Sequence, residues 1–274
     1  MIVRKAEQKI AELLKPVAGE DARTEAVFLL RACGFHSPYQ ELSETDAKAL
    51  DPLIERRLSG EPLQYVLGEW EFCGLPFYVD ETVLIPRPDT ERRVETALSL
   101  LSKSRRDVLD LCCGSGCIGI ALAALGGAHV TAADISADAL SMTERNARRN
   151  GVSVRTVQSD LFENVEGTFD LIVSNPPYLS QSEMDARDVS LRFEPALALY
   201  GGEDGLGFYR RIAKDYRQYL RPGGALLLEI GYTQREAVEA LFENSECVED
   251  YGGRPRVIVV RNNDRETEKV QRTI

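Results

Sequence analysis

Asn175-Pro176-Pro177-Tyr178 directly follows the apolar run Phe169-Asp170-Leu171-Ile172-Val173-Ser174. Neither proline has an N–H to donate, so a strand ladder cannot continue through them. They leave rigid backbone carbonyls pointing outward between an amide side chain and an aromatic ring. Those groups suit a planar –NH2: Asn175 Oδ1 and the Pro176 carbonyl can each accept one hydrogen while the Tyr178 ring stacks on the plane. An isolated Asn-Pro dipeptide is better explained as a tight turn closing a buried strand. The neighbouring motifs have to decide.

The segment Asp110-Leu111-Cys112-Cys113-Gly114-Ser115-Gly116-Cys117-Ile118-Gly119 sits where a first strand turns into a first helix, the expected ligand position in an open α/β sheet. Gly114 and Gly116 permit close backbone approach and positive φ. Asp134 ends the next strand roughly 20 residues on, where an acidic side chain can accept both hydroxyls of a ribose. Asp160-Leu161 follows the third strand and can hold an adenine by its amino group and face. A clean G-x-G-x-x-G is absent because Cys112 stands in the first glycine's place, which weakens the dinucleotide alternative. A cationic, adenosine-bearing cofactor without pyrophosphate, S-adenosylmethionine, fits the acidic surroundings better.

Alternating strand and helix signals must position these residues. Strand-like runs occur at Val108–Leu111, His129–Ala133, Val152–Val157, Phe169–Ser174, Gly224–Ile230 and Arg256–Val260. Helical spacing fills Gly116–Leu125, Ser136–Asn150, Gly205–Leu220 and Thr233–Phe242. Apolar, non-alternating strands interleaved with helices predict a mostly parallel sheet covered on both faces. Residues 1–62 carry helical spacing only (Ile10, Leu13, Leu14 and Val17; then Ala22, Ala26, Leu29, Leu30 and Cys33), with a third helix opening at Ser43 or Thr45. That predicts a small helical bundle, a docking module rather than a catalytic one. Residues 63–88 read as a linking hairpin that includes Tyr65-Val66-Leu67, residues 89–262 as the catalytic domain, and residues 263–274 as a polar tail expected to fray.

Net charge is −11 over 274 residues, which argues against a protein that grips duplex nucleic acid through its phosphates. Arg145, Arg148, Arg149 and Arg155 read as a solvated helix face rather than a basic strip. The six cysteines form no C-x-x-C pair and stand far from the two histidines, so no metal site is expected. Neither a signal peptide nor a membrane span is visible, and a cytoplasmic protein is expected.

Together these residues resemble the HemK/PrmC family, S-adenosylmethionine-dependent enzymes that methylate the glutamine side chain of peptide release factors. The similarity runs through the helical N-terminal region, Ile85-Pro86-Arg87-Pro88-Asp89-Thr90-Glu91, the Gly loop, Asn-Pro-Pro-Tyr, Arg192-Phe193-Glu194-Pro195 and Leu226-Leu227-Leu228-Glu229-Ile230-Gly231. The resemblance implies a Rossmann-like class I methyltransferase sheet of seven strands with the last reversed, preceded by the helical bundle. It implies cofactor contacts from Cys112, Cys113, Gly114, Ser115, Gly116, Asp134, Leu161 and Asn175; the reading of the loop adds Asp110 and Asp160. It implies substrate contacts from Asn175, Pro176, Pro177 and Tyr178, with Asn175, Pro176 and Tyr178 in the catalytic role. The implied partner is the GGQ loop of class-1 release factors, with no membrane, no stable nucleic-acid partner and a monomeric enzyme. Cys112 departs from a glycine found in many members, and a small side chain there is expected to alter cofactor approach only slightly. Arg192 and Glu194 are weaker candidates, explained as well by a surface salt bridge, and Arg87 and Glu91 are explained as well by anchoring the linker. The alternatives are an adenine-N6 nucleic-acid methyltransferase, a ribosomal-protein glutamine methyltransferase and a non-catalytic adaptor.

Overall fold

The computed structural model describes residues 1–262; the tail 263–274, expected to fray, lies outside the described residues. The chain divides into two compact units: Met1–Trp70 with Asp188–Phe193, and Glu71–Arg187 with the chain from Glu194 onward.

In the first unit, α1 (Val3–Ala18), α2 (Ala22–Ala32) and α3 (Glu44–Leu58) bury a common apolar core that includes Leu14, Ala26, Leu29 and Leu30. Ser43 starts α3 with a reciprocal capping box: its hydroxyl accepts the Asp46 N–H at 3.1 Å and the Asp46 carboxylate accepts the Ser43 N–H at 2.8 Å. Leu13, counted in the α1 stripe by spacing, instead faces solvent. Tyr65-Val66-Leu67 also departs from expectation. It lies in a helical turn, α4 (Leu63–Leu67), bounded by Pro62 and by Gly68 at φ 73°. Leu63, Tyr65 and Val66 are buried there, so burial overrides their β-like composition. The hairpin itself is β1 (Glu69–Phe72) and β2 (Leu75–Tyr78). Cys73 and Gly74 join them with φ of 52° and 72°, the two positive values that a two-residue type I′ turn demands.

In the second unit, α5 (Pro88–Leu100) precedes β3 (Asp107–Leu111), α6 (Cys117–Gly126), β4 (His129–Asp134), α7 (Ala137–Arg149), β5 (Val154–Gln158) and β6 (Phe169–Ser174). Two short helices, α8 (Gln181–Asp185) and α9 (Ala196–Leu199), lead to α10 (Gly207–Tyr219), β7 (Leu220–Glu229), α11 (Arg235–Glu239), β8 (Ser245–Glu249) and β9 (Pro255–Arg261). The sheet is seven-stranded, in the order β5-β4-β3-β6-β7-β9-β8. Strands β3 to β7 pair in parallel and β9 runs antiparallel to both its neighbours.

Successive strand residues supply opposite faces. Val108 and Leu171 join the core under α5 and α6, whereas Leu109 and Ile172 join the one under α10. From β3 the chain proceeds to β4 on one side, and β6 returns on the other. The carboxyl end of β3 is therefore the switch point where an open α/β sheet forms its ligand crevice.

Candidate active site

The turn from β3 into α6 is built on left-handed backbone: Cys112, Gly114 and Gly116 have φ of 59°, 54° and 76°. A Cβ on Gly116 would lie 2.7 Å from Thr143 Cγ2, so space and dihedral both demand glycine. Cys112 has no such freedom, and an L residue in this conformation costs about 1–2 kcal/mol. Two buried side chains of α7 hold the loop's carbonyls. Thr143 Oγ1 donates to Gly114 O at 3.0 Å, and Asn146 Nδ2 donates to Ser115 O at 3.0 Å. Asn146 also exchanges hydrogen bonds with the Tyr78 backbone at 2.7 and 3.1 Å, which fixes β2 against the same helix. Asp110 stands behind the loop. One carboxyl oxygen accepts the Gly119 N–H at 2.9 Å, the other finds no hydrogen-bond partner among the described residues, and burial raises its pKa to about 7. Asp110 is not among the residues lining the cavity, and its bond to the Gly119 N–H props the first turn of α6.

A cavity of about 210 Å³ opens at this edge of the sheet, lined by Cys112 through Ser115, Asp134, Asp160, Leu161, Asn175 and Pro177. Asp134 Oδ2 accepts the Gly114 N–H and Oδ1 the Ser136 N–H, both at 2.9 Å. These bonds fix the carboxylate and leave further lone pairs for hydroxyl donors. Burial nevertheless raises its pKa. Leu161, at φ 52°, is a second left-handed residue on the wall. Asp160 Oδ1 pairs with the Arg211 guanidinium at 2.8 Å. Arg211 and Phe208 come from α10 and complete a wall that the spacing of the sequence motifs does not reveal. Burial pushes the thiols of Cys112, Cys113 and Cys117 up, so they remain protonated and poorly nucleophilic. Among the described residues no cluster suited to a metal ion occurs.

The Asn-Pro-Pro-Tyr turn follows β6 directly. Asn175 is among the residues lining the cavity, and its Oδ1 is buried with no hydrogen-bond partner among the described residues. Pro176 and Tyr178 lie off that wall. Pro176 is buried, and Tyr178 is half-buried with its ring against the α10 core, where burial raises its phenol pKa to about 12. Beneath the turn, Arg93 is wholly buried and donates to Ser174 O at 2.6 Å and to Glu229 Oε2 at 2.5 Å. Thr90 Oγ1 donates to the same Glu229 oxygen at 2.8 Å, and Tyr209 Oη donates to the Glu229 carbonyl at 2.7 Å. Glu194 is also buried, accepting the Ile85 N–H at 3.0 Å and pairing with Arg87. The Glu91 carboxylate accepts the Cys73 N–H at 2.8 Å. Arg87, Glu91 and Glu194 thus anchor the segments around the site, and Arg192 groups with the first unit.

The arginines of α7 and β5 are engaged within the protein. Arg145 and Arg149 lie 3.9 and 4.0 Å from the Tyr78 ring centroid, while Arg148 pairs with Glu144 and Arg155 with Glu166 at 3.9 and 3.7 Å. Among the described residues no helix is long and apolar enough to cross a membrane.

This arrangement has known relatives. Residues 94–196 match the methyltransferase small domain and residues 5–68 the PrmC N-terminal domain. A release factor glutamine methyltransferase of Geobacter sulfurreducens is 42% identical over 254 residues, 87% of this chain and 89% of that protein. One of Haemophilus influenzae is 37% identical over 277 residues, 91% of this chain and 95% of the relative. The chain belongs to the release factor glutamine methyltransferase family. Solved structures related at the level of fold include a methyltransferase of Pyrococcus furiosus (18% identity, TM-score 0.55, 81% of this chain and 100% of that one). A 16S rRNA N2 G1207 methyltransferase of T. thermophilus, in complex with AdoMet and guanosine, shares 21% identity and a TM-score of 0.52 over 71% of this chain and 50% of its own. The fold is that of a Rossmann-like methyltransferase, and the family makes the chain an enzyme of methyl transfer.

Proposed function

We propose that the enzyme transfers a methyl group from S-adenosylmethionine to the side-chain amide nitrogen (N5) of the glutamine in the GGQ motif of class-1 release factors. The observation that carries this reading is the unpartnered Oδ1 of Asn175, a residue that lines the β3–α6 cavity, in a chain about 40% identical to enzymes of that name. The wall suits the cofactor. Asp134 offers acceptors for the ribose hydroxyls, Leu161 and Phe208 offer apolar surface to the adenine, and Asp160 retains one oxygen outside its Arg211 pair. When bound, S-adenosylmethionine supplies an electrophilic methyl on a cationic sulfur.

The protein's own part is orientation and charge stabilisation. A carboxamide nitrogen is a poor nucleophile because its lone pair is delocalised into the carbonyl. Asn175 Oδ1 and the Pro176 carbonyl accept its two hydrogens and direct the nitrogen at the methyl group. Positive charge growing on that nitrogen strengthens both bonds in the transition state, which is differential stabilisation. Positioning supplies much of the remaining acceleration. No general base is required, because the N-methylated amide cation gives its proton to solvent. Tyr178, its phenol protonated, braces the turn from the core side. The first unit, with its own helical core, serves to dock the release factor.

Incubating the enzyme with a release factor and S-adenosylmethionine tests the reading. One added methyl on the intact factor, by mass spectrometry, is expected. An unchanged factor alongside methylated nucleic acid would replace this reading with the adenine-N6 one.

A further inference from the structure

Two prolines remove two donors from the Asn-Pro-Pro-Tyr turn, so the ordinary means of fixing a backbone is missing where position matters most. One end of the turn is held by Arg93, through Ser174 O. The other end is held by Gln234, just ahead of α11. Its Nε2 donates to Tyr178 O at 3.0 Å and lies 3.4 Å from Gly205 O, while its Oε1 accepts the Gly231 N–H at 3.0 Å. The Gln234 backbone N–H donates to Gly231 O at 2.9 Å, which closes the bracket on β7's exit.

One side chain therefore joins three segments: the exit of the turn, the Gly201–Gly205 loop and the end of β7. The segments are packed to accept it. A Cβ on Gly205 would collide with the Tyr178 carbonyl oxygen and lie 2.8 Å from Gln234 Nε2, and a Cβ on Gly201 would lie 2.7 Å from Pro177 O. The Gly201 loop also pairs with the turn's exit through Leu179 N–H to Leu199 O at 2.9 Å and Gly201 N–H to Leu179 O at 2.8 Å. A primary amide supplies on separate atoms the donor and the acceptor that this bracket uses, whatever the pH. Glutamate would keep the bond from Gly231 and set a carboxylate against the Tyr178 carbonyl.

We infer that Gln234 is a positioning residue: it fixes the exit of the Asn-Pro-Pro-Tyr turn so that Asn175 Oδ1 and the Pro176 carbonyl keep the spacing that the substrate amide needs. Its catalytic consequence rests on the function proposed above; its hold on the turn does not. Gln234→Glu and Gln234→Ala are compared with the wild type by amide hydrogen exchange, by the kinetics of methyl transfer to a release factor, and by calorimetry with S-adenosylmethionine.

Exchange is expected to accelerate in residues 178–181 and 201–207 of both variants and to stay unchanged in β3 and β4. With the turn loosened, kcat is expected to fall about tenfold or more. KM for the release factor and the cofactor Kd are expected to stay within about twofold, a split that general destabilisation would not produce. Unchanged exchange in those segments overturns the inference whether or not the wild type is active. Accelerated exchange with wild-type kcat overturns the catalytic role alone. A wild type inactive on every release factor counts against the proposed function, and exchange then still decides whether Gln234 holds the turn.

Discussion

Asp134 pins the Gly114 and Ser136 N–H groups with one carboxylate, and in the proposed function its remaining lone pairs take the ribose hydroxyls. Burial raises its pKa, so protonation sets in at higher pH than for an ordinary carboxylate. The ionised form is the better acceptor of hydroxyl donors. Affinity for S-adenosylmethionine is therefore expected to fall as pH drops, beginning above the usual carboxylate range. Asp134→Asn should bind about tenfold more weakly near neutrality and lose that pH dependence. Calorimetry across pH checks both, and equally flat profiles for the two proteins would contradict the role.

That Asp134, Leu161 and Asn175 share one cavity wall was legible in the sequence because each ends or closely follows a strand, and strand ends converge at one edge of a parallel sheet. Arg93, Thr143, Asn146 and Gln234 were not, since they act on backbone carbonyls whose positions exist only in the fold. Arg93 left a trace nonetheless. It occupies the buried face of α5 with Thr90, Val94 and Ala97, where an arginine needs a buried partner.

At the scale of the element, the loop between β3 and α6 departs from expectation in one respect. Cys112 is small enough for its place, but its φ of 59° belongs to glycine's range. Glycine would relieve about 1–2 kcal/mol of strain, offset by about 0.4–1 kcal/mol of added freedom in the unfolded chain. Cys112→Gly is accordingly expected to be neutral or stabilising by up to about 1.5 kcal/mol, read from urea unfolding. A loss of more than about 2 kcal/mol would mean that the buried thiol's packing outweighs the strain. The same scale shows what composition conceals. Strand β8, Ser245-Glu246-Cys247-Val248-Glu249, carries the charged residues typical of a sheet edge and gave no strand signal. In α4 aromatic and β-branched residues form a helix because Pro62 and Gly68 bound it and the core takes its side chains.

Across the whole molecule, the alternating pattern from residue 108 onward specified the parallel sheet, and the residues from 1 to about 60 their helices. Buried charge was invisible at that level, and it has a global consequence. Asp110 titrates near pH 7 in the folded protein, against about 3.8 for the unconstrained side chain. The folded state therefore holds its proton more tightly than the unfolded state does. Its contribution to stability is full below about pH 4 and is lost as pH rises towards about 7. Relative to wild type, Asp110→Asn should gain stability steadily across that interval in denaturant midpoints; parallel curves would contradict the buried acid.

The central claim concerns one nitrogen atom and one acceptor beside it. Wild-type and Asn175→Ala enzymes, each shown by calorimetry to bind S-adenosylmethionine, are incubated with a class-1 release factor, and the GGQ peptide is sequenced by tandem mass spectrometry. The account predicts a methyl group on the glutamine side-chain amide with the wild type, and a rate lower by about 10²-fold or more with Asn175→Ala. Near-wild-type methylation by Asn175→Ala, or a methyl group on any other residue, would contradict it.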